Sequence, residues 1–76
     1  MQKWEYLFVD AEEAGRNMRP RYINDQEVPN WKKGQTLFAY ANEMGKEGWE
    51  LVSAPYTGDH VYGTKPRLIF KRPISN

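Results

Sequence analysis

LFAYANEMGKEGWELV, running from Leu37 to Val52, changes its hydrophobic rhythm partway along. Leu37, Tyr40, Ala41 and Met44 recur at i, i+3, i+4 and i+7, the spacing that lines one face of an α-helix. Gly45 and Gly48 follow, and glycine readily takes the left-handed backbone that ends a helix. From Trp49 to Ala54 the residues read as a strand. The stretch predicts one helix from about residue 35 to 47 that stops by Gly48 and turns into the sheet. Thr36 or Gln35 would begin it, without a capping box. Gly45 is expected to let the sheet approach the helix closely, and the ring of Trp49 to cover the helix end.

On the N-terminal side, Trp4 to Val9 alternates, with Trp4, Tyr6 and Phe8 on one face and Glu5, Leu7 and Val9 on the other. Asp10 to Arg19, rich in charge, reads as a mobile connection or as a hairpin tip around Gly15. Arg21-Tyr22-Ile23 and Gln26-Glu27-Val28 flank Asn24-Asp25, two residues that tolerate positive φ and suit a tight turn between short strands. Pro29 to Gly34 breaks the pattern before the helix. On the C-terminal side, Arg67, Ile69 and Lys71 share one face of a last strand while Leu68 and Phe70 take the other. Between Pro55 and Pro66 the chain reads as a strand extension turning at Gly58-Asp59, or as a functional loop.

These elements predict a two-layer α+β fold, an antiparallel sheet of four or five strands carrying one helix in the order β-β-β-α-β-β. At 76 residues the chain has room for a single domain spanning 1–76 with a thin core. Three Trp, five Tyr and three Phe offset a mean hydropathy of −0.88 and argue against disorder. Eleven basic and ten acidic side chains leave a net charge of +1, so no global field gathers nucleic acid or anionic lipid. The absence of Cys excludes disulfides and thiolate chemistry and permits a reducing cytoplasm, the expected location. No export signal is visible at the N-terminus, and no apolar run approaches the ~18 residues of a membrane span.

Lys3-Trp4-Glu5-Tyr6, Gly45-Lys46-Glu47-Gly48-Trp49-Glu50-Leu51-Val52 and Phe70-Lys71-Arg72-Pro73 together resemble a family of small bacterial and phage domains of unknown function. Its pattern is a KWEY-type start, an LGxEGWELV-type helix-to-strand turn and an FKR-type end. The EGWELV segment is the most specific part. Met44-Gly45 stands where Leu-Gly is usual, and the hairpin between Arg16 and Trp31 is less typical. The resemblance implies the fold and no activity, since the family carries no agreed catalytic or binding residues.

Chemistry-bearing motifs are sparse. His60 beside Asp59 is the minimum for acid-base work, but Ser53, Thr57 and Thr64 show no nucleophile spacing, so the pair reads as a solvated loop. Glu43 and Glu47, one helical turn apart, read as a solvated face with Lys46. Phosphate-binding and metal-binding fingerprints are absent, and neither cofactor nor metal is expected. Arg67 and Lys71 with exposed aromatics such as Trp31, Tyr56 or Tyr62 would suit single-stranded nucleic acid, whereas an edge strand guarded by charge is the plainer reading.

Counting faces carries more weight. The first strand and the Trp49 strand are apolar on both sides, yet one helix covers one face. The other must be covered by the inserted hairpin or by a second copy of the chain. Phe38, off the helical stripe, is a further surplus apolar group. The sequence therefore points to a non-enzymatic binding module, a homo-oligomer that contacts a protein or a small anionic ligand. Single-stranded nucleic-acid binding is the alternative. Arg16, Arg19, Arg21, Tyr56, His60, Tyr62, Arg67 and Lys71 are the candidate contact residues.

Overall fold

The computed structural model describes residues 1–57 and 65–75. Alternating apolar residues set β1 at Trp4–Ala14, followed by β2 at Asn17–Ile23, β3 at Gln26–Glu27 and a 3-10 turn at Trp31–Lys33. The helix α1 spans Leu37–Lys46, and β4 (Glu50–Ser53), β5 (Tyr56–Thr57) and β6 (Lys65–Pro73) complete the order. The main sheet runs β3-β2-β1-β6-β4 with antiparallel neighbours, and β5 pairs with the start of β6. The fold is thus α+β with one helix on an antiparallel sheet. The β5 pairing, Tyr56 with Pro66 and Thr57 with Lys65, makes this segment a strand extension. The expected turn at Gly58-Asp59 lies outside the described residues.

Both N-terminal hairpins follow from turn chemistry. Gly15 has φ 72° at the head of a two-residue turn that pairs Ala14 with Asn17, so the charged stretch is a hairpin and not a mobile connection. Asn24 (φ 49°) and Asp25 (φ 68°) both take the left-handed region between β2 and β3. Asn24 is also tied to β1: its N–H donates to the Phe8 carbonyl at 2.8 Å, and its Oδ1 accepts from the Phe8 N–H at 3.0 Å. Opposite Asp10 and Ala11 a bulge places the extra residue Arg21 in β2.

The helix is closed at both ends by backbone logic. Thr36 is its N-cap, with Oγ1 accepting from the Ala39 N–H at 3.2 Å. At the far end Gly48, at φ 90°, donates to the Gly45 carbonyl, and the Trp49 N–H donates to the Met44 carbonyl at 3.0 Å. That pair of bonds around a positive-φ glycine is the Schellman stop, and β4 begins one residue later at Glu50. The role expected of Gly45 is not found. A side chain built there would meet nothing within 4 Å, because this glycine lies on the exposed side of α1.

Beneath the helix, Leu7 and Val9 of β1, Leu68 and Phe70 of β6 and Tyr40 of α1 form the core, with Ile23, Leu37, Ala41, Met44 and Trp49 packed around it. Full burial of such a side chain contributes about 1.5–3 kcal/mol. Phe70 and Val9 are the large side chains buried completely. Burial also pushes up the Tyr40 phenol, with Glu43 and Glu47 adding to the effect.

Two expectations about edges and covers are corrected. β6 is a central strand between β1 and β4, so its charged residues do not guard an edge; the edges are β3 and β4. The inserted hairpin does not cover the second sheet face. β2 and β3 extend the sheet sideways, and the turn that follows places buried Trp31 beside Pro20, Ile23 and Tyr40 on the helix side.

Candidate interaction face of the sheet

Even-numbered residues of β1 and odd-numbered residues of β6 point away from the helix, because side chains alternate and the β1–β6 register has no slip. Tyr6 lies opposite Lys71, Phe8 opposite Ile69, and Asp10 opposite Arg67. On the other flank of β6, Glu50 and Ser53 of β4 pair with Lys71 and Ile69. Trp4, Tyr6 and Phe8 are 39, 52 and 40% exposed, although β1 is interior to the sheet. No described element lies over them. A row of three half-exposed aromatics on an interior strand is the most conspicuous unpaired surface of the described residues.

Charge surrounds this row in a compensated pattern. Lys71 Nζ sits 4.3 Å from the centroid of the Trp4 ring. Arg67 Nε donates to Asp10 Oδ1 at 2.7 Å, and that hydrogen bond raises the Arg67 pKa. Glu12 Oε1 accepts from both Lys65 Nζ and Arg21 Nη1 at 2.9 Å. The Lys65 bond, opposed by partial burial and aided by Arg21, holds the Glu12 carboxyl below its ordinary range. Arg21 also donates to Glu27 at 2.8 Å, and its pKa is raised by Glu27 first and Glu12 second.

The candidate contact residues fall into separate places. Arg67 and Lys71 stand on the open face, where the spacing of β6 put them. Arg19 donates to the carbonyls of Ala14 and Gly34. Arg21 lies over the rings of Trp31 and Tyr22, at 5.0 and 5.2 Å. Arg16 occupies the exposed turn after Gly15 and makes no ion pair or hydrogen bond with the described residues. Tyr56 stands on β5, and His60 and Tyr62 lie outside the described residues. Trp31, expected to be an exposed stacking ring, is instead buried. Trp4 belongs to the open face with Tyr6 and Phe8. Its signal was present in the alternation of β1, which placed Trp4, Tyr6 and Phe8 together without saying which face the helix takes.

Among the described residues no cluster of three or more His, Cys, Asp or Glu is placed to hold a metal ion. No described helix is long and apolar enough to cross a membrane. What fold and surface define is a small α+β domain with one helix on one face of an antiparallel sheet and no described element over the other. The chain belongs to the family described as domain of unknown function DUF4177, whose profile matches residues 4–73. No curated protein and no solved structure matches the chain.

Proposed function

We propose that this domain is a non-enzymatic binding module of the cytoplasm, working as a homo-oligomer whose subunits meet through the open sheet face. The observation that carries the reading is the exposed row Trp4, Tyr6, Phe8 on an interior strand. Aromatic side chains present roughly 150–250 Å² each, so about 40–50% exposure leaves on the order of 300 Å² of ring surface on each copy. A two-fold pairing would bury about twice that before the surrounding residues are added, and stable interfaces take ~1,200–2,000 Å² in total. Ile69, Arg67, Lys71, Ser53 and Tyr22 supply the rim.

The charge pattern favours a second copy over a polyanion. Arg67, Lys65 and Arg21 are held by Asp10 and Glu12, and Lys71 faces Glu50 across the strand pair. Phosphates would have to displace these carboxylates, whereas a neutral face meets its own copy without that cost. The same ion pairs support the non-enzymatic reading, since they hold the carboxylates of the face in structural roles. Absence of Cys suits a reducing compartment.

Native mass spectrometry and sedimentation at micromolar concentration test the proposal. A multimer is expected, and a monomer would overturn it. Titration with short single-stranded oligonucleotides completes the test, and salt-dependent binding there would reassign the face to nucleic acid.

A further inference from the structure

A cavity of about 410 Å³ lies on the helix side, at the opposite end of α1 from the Gly48 turn. Met18 of β2, Leu37 and Phe38 of α1, and Pro66 and Leu68 of β6 form its apolar wall, and Arg16 stands at its edge. Its volume falls in the lower part of the ~300–1,000 Å³ range typical of small-molecule sites. Two observations make it more than a gap in the packing.

The first is Phe38, 85% exposed in the first turn of the helix, where a solvent-facing position ordinarily carries a polar residue. Its ring adds apolar surface to the cavity instead of to the core. The second is Arg16. Of the five arginines, Arg19, Arg21, Arg67 and Arg72 are each held by carboxylates or carbonyls of the chain. Among the described residues Arg16 alone has no such partner, and no described Asp or Glu lines the cavity. The positive end of α1 adds to the same side of the balance.

We propose that this cavity binds a small monoanion with an apolar body, a carboxylic acid class of ligand. The body lies against Phe38, Met18 and Leu68, and the carboxylate is gripped by the Arg16 guanidinium, whose fork matches it with two parallel hydrogen bonds. One cation without a partner among the described residues matches one charge. A nucleotide, with several phosphate charges, would leave most of them unmatched here. The site rests on the binding-module reading but not on the sheet contact, which lies across the sheet from it.

The test uses the full chain with anilinonaphthalene sulfonate as a fluorescent apolar monoanion, phenylnaphthylamine as its uncharged counterpart, and octanoate as the carboxylate competitor. Saturable binding of one sulfonate probe per chain is expected, with displacement by octanoate. Arg16→Ala, at an exposed turn, should keep the urea midpoint and the oligomeric state. It should weaken the anionic probe about tenfold to a hundredfold, the worth of a charge-assisted pair, and leave the neutral probe unchanged. Phe38→Ala should weaken both probes. The site is refuted if the unaltered chain binds no probe, if Arg16→Ala binds the anion as tightly as before, or if only Tyr6→Glu on the opposite face removes binding. A monomeric chain that still shows the Arg16-dependent signal would sink the sheet contact and leave this site standing.

Discussion

Tyr6 is the most exposed of the three open-face aromatics, and its cross-strand neighbour is Lys71. Tyr6→Glu therefore separates the folding of one copy from the association of two. Within a copy, the new carboxylate faces Lys71, and an opposite-charge pair across antiparallel strands contributes about 0.2–1 kcal/mol, which offsets part of the lost ring packing. Between copies the consequence is much larger. With 52% of its surface exposed, the ring offers about 100 Å² to a partner, worth about 2.5 kcal/mol at ~25 cal/mol/Å². A two-fold contact loses this twice, about 5 kcal/mol, and the glutamate adds the cost of removing charge from water. At ~1.4 kcal/mol per tenfold, association weakens by about a thousandfold or more. Sedimentation velocity across a concentration series, with urea unfolding as the control on the fold, reads both terms. An unchanged oligomer distribution in a well-folded Tyr6→Glu protein would refute assembly through this face.

Phe70 is 2% exposed at the centre of the core, so Phe70→Ala should cost about 3–5 kcal/mol and leave little folded protein by urea titration, whereas Phe70→Leu should remain folded. The two helix-end glycines should behave oppositely in thermal melts. Gly45→Ala meets nothing and should stabilise by about 0.5–1 kcal/mol through helix propensity, while Gly48→Ala must hold φ 90° and should destabilise by about 1–2 kcal/mol. The lowered Glu12 pKa gives a signed pH dependence: its stabilisation is complete above the ordinary carboxylate value, about 4.5, and is lost as pH falls through the lower folded value. Glu12→Gln should therefore be less stable than the parent at neutral pH and should lose less on acidification, as read from urea midpoints between pH 7 and 3.

The helix and its stop were legible because they rest on local rules: a four-residue stripe, a capping threonine and a glycine that must turn left-handed. The same holds for the Asn24-Asp25 turn and for the division of β6 into two faces. Strand order was not legible, because antiparallel pairing across the chain leaves no local trace. The charges of β6 suggested an edge, yet its Leu68 and Phe70 pair with Val9 and Leu7 of β1 on one side, and Phe70 pairs with Leu51 of β4 on the other. Face counting correctly found more apolar surface than one helix covers. It could not tell that Trp31 would fold to the helix side, since a lone tryptophan between Pro29 and Gly34 has no periodicity to orient it. The arginines formed one group in sequence. Only the fold separates Arg16, beside a cavity and without a partner among the described residues, from Arg19 and Arg21, which brace the chain.

The middle of the sheet is built from β1 and β6, whose paired side chains Asp10 and Arg67 are 57 residues apart and Glu5 and Arg72 67 apart. The two N-terminal hairpins and the helix can start from neighbouring residues, but the core they share needs Leu68 and Phe70. Folding must therefore close its longest loop before most apolar burial is gained, which places the domain among slow folders for its size. During synthesis the first four-fifths of the chain would emerge with exposed apolar side chains on both faces of β1, aromatic on one and aliphatic on the other, and no β6 beside it. Until β6 arrives, that stretch is two hairpins and a helix in search of a common surface, and this is the interval in which aggregation competes with folding.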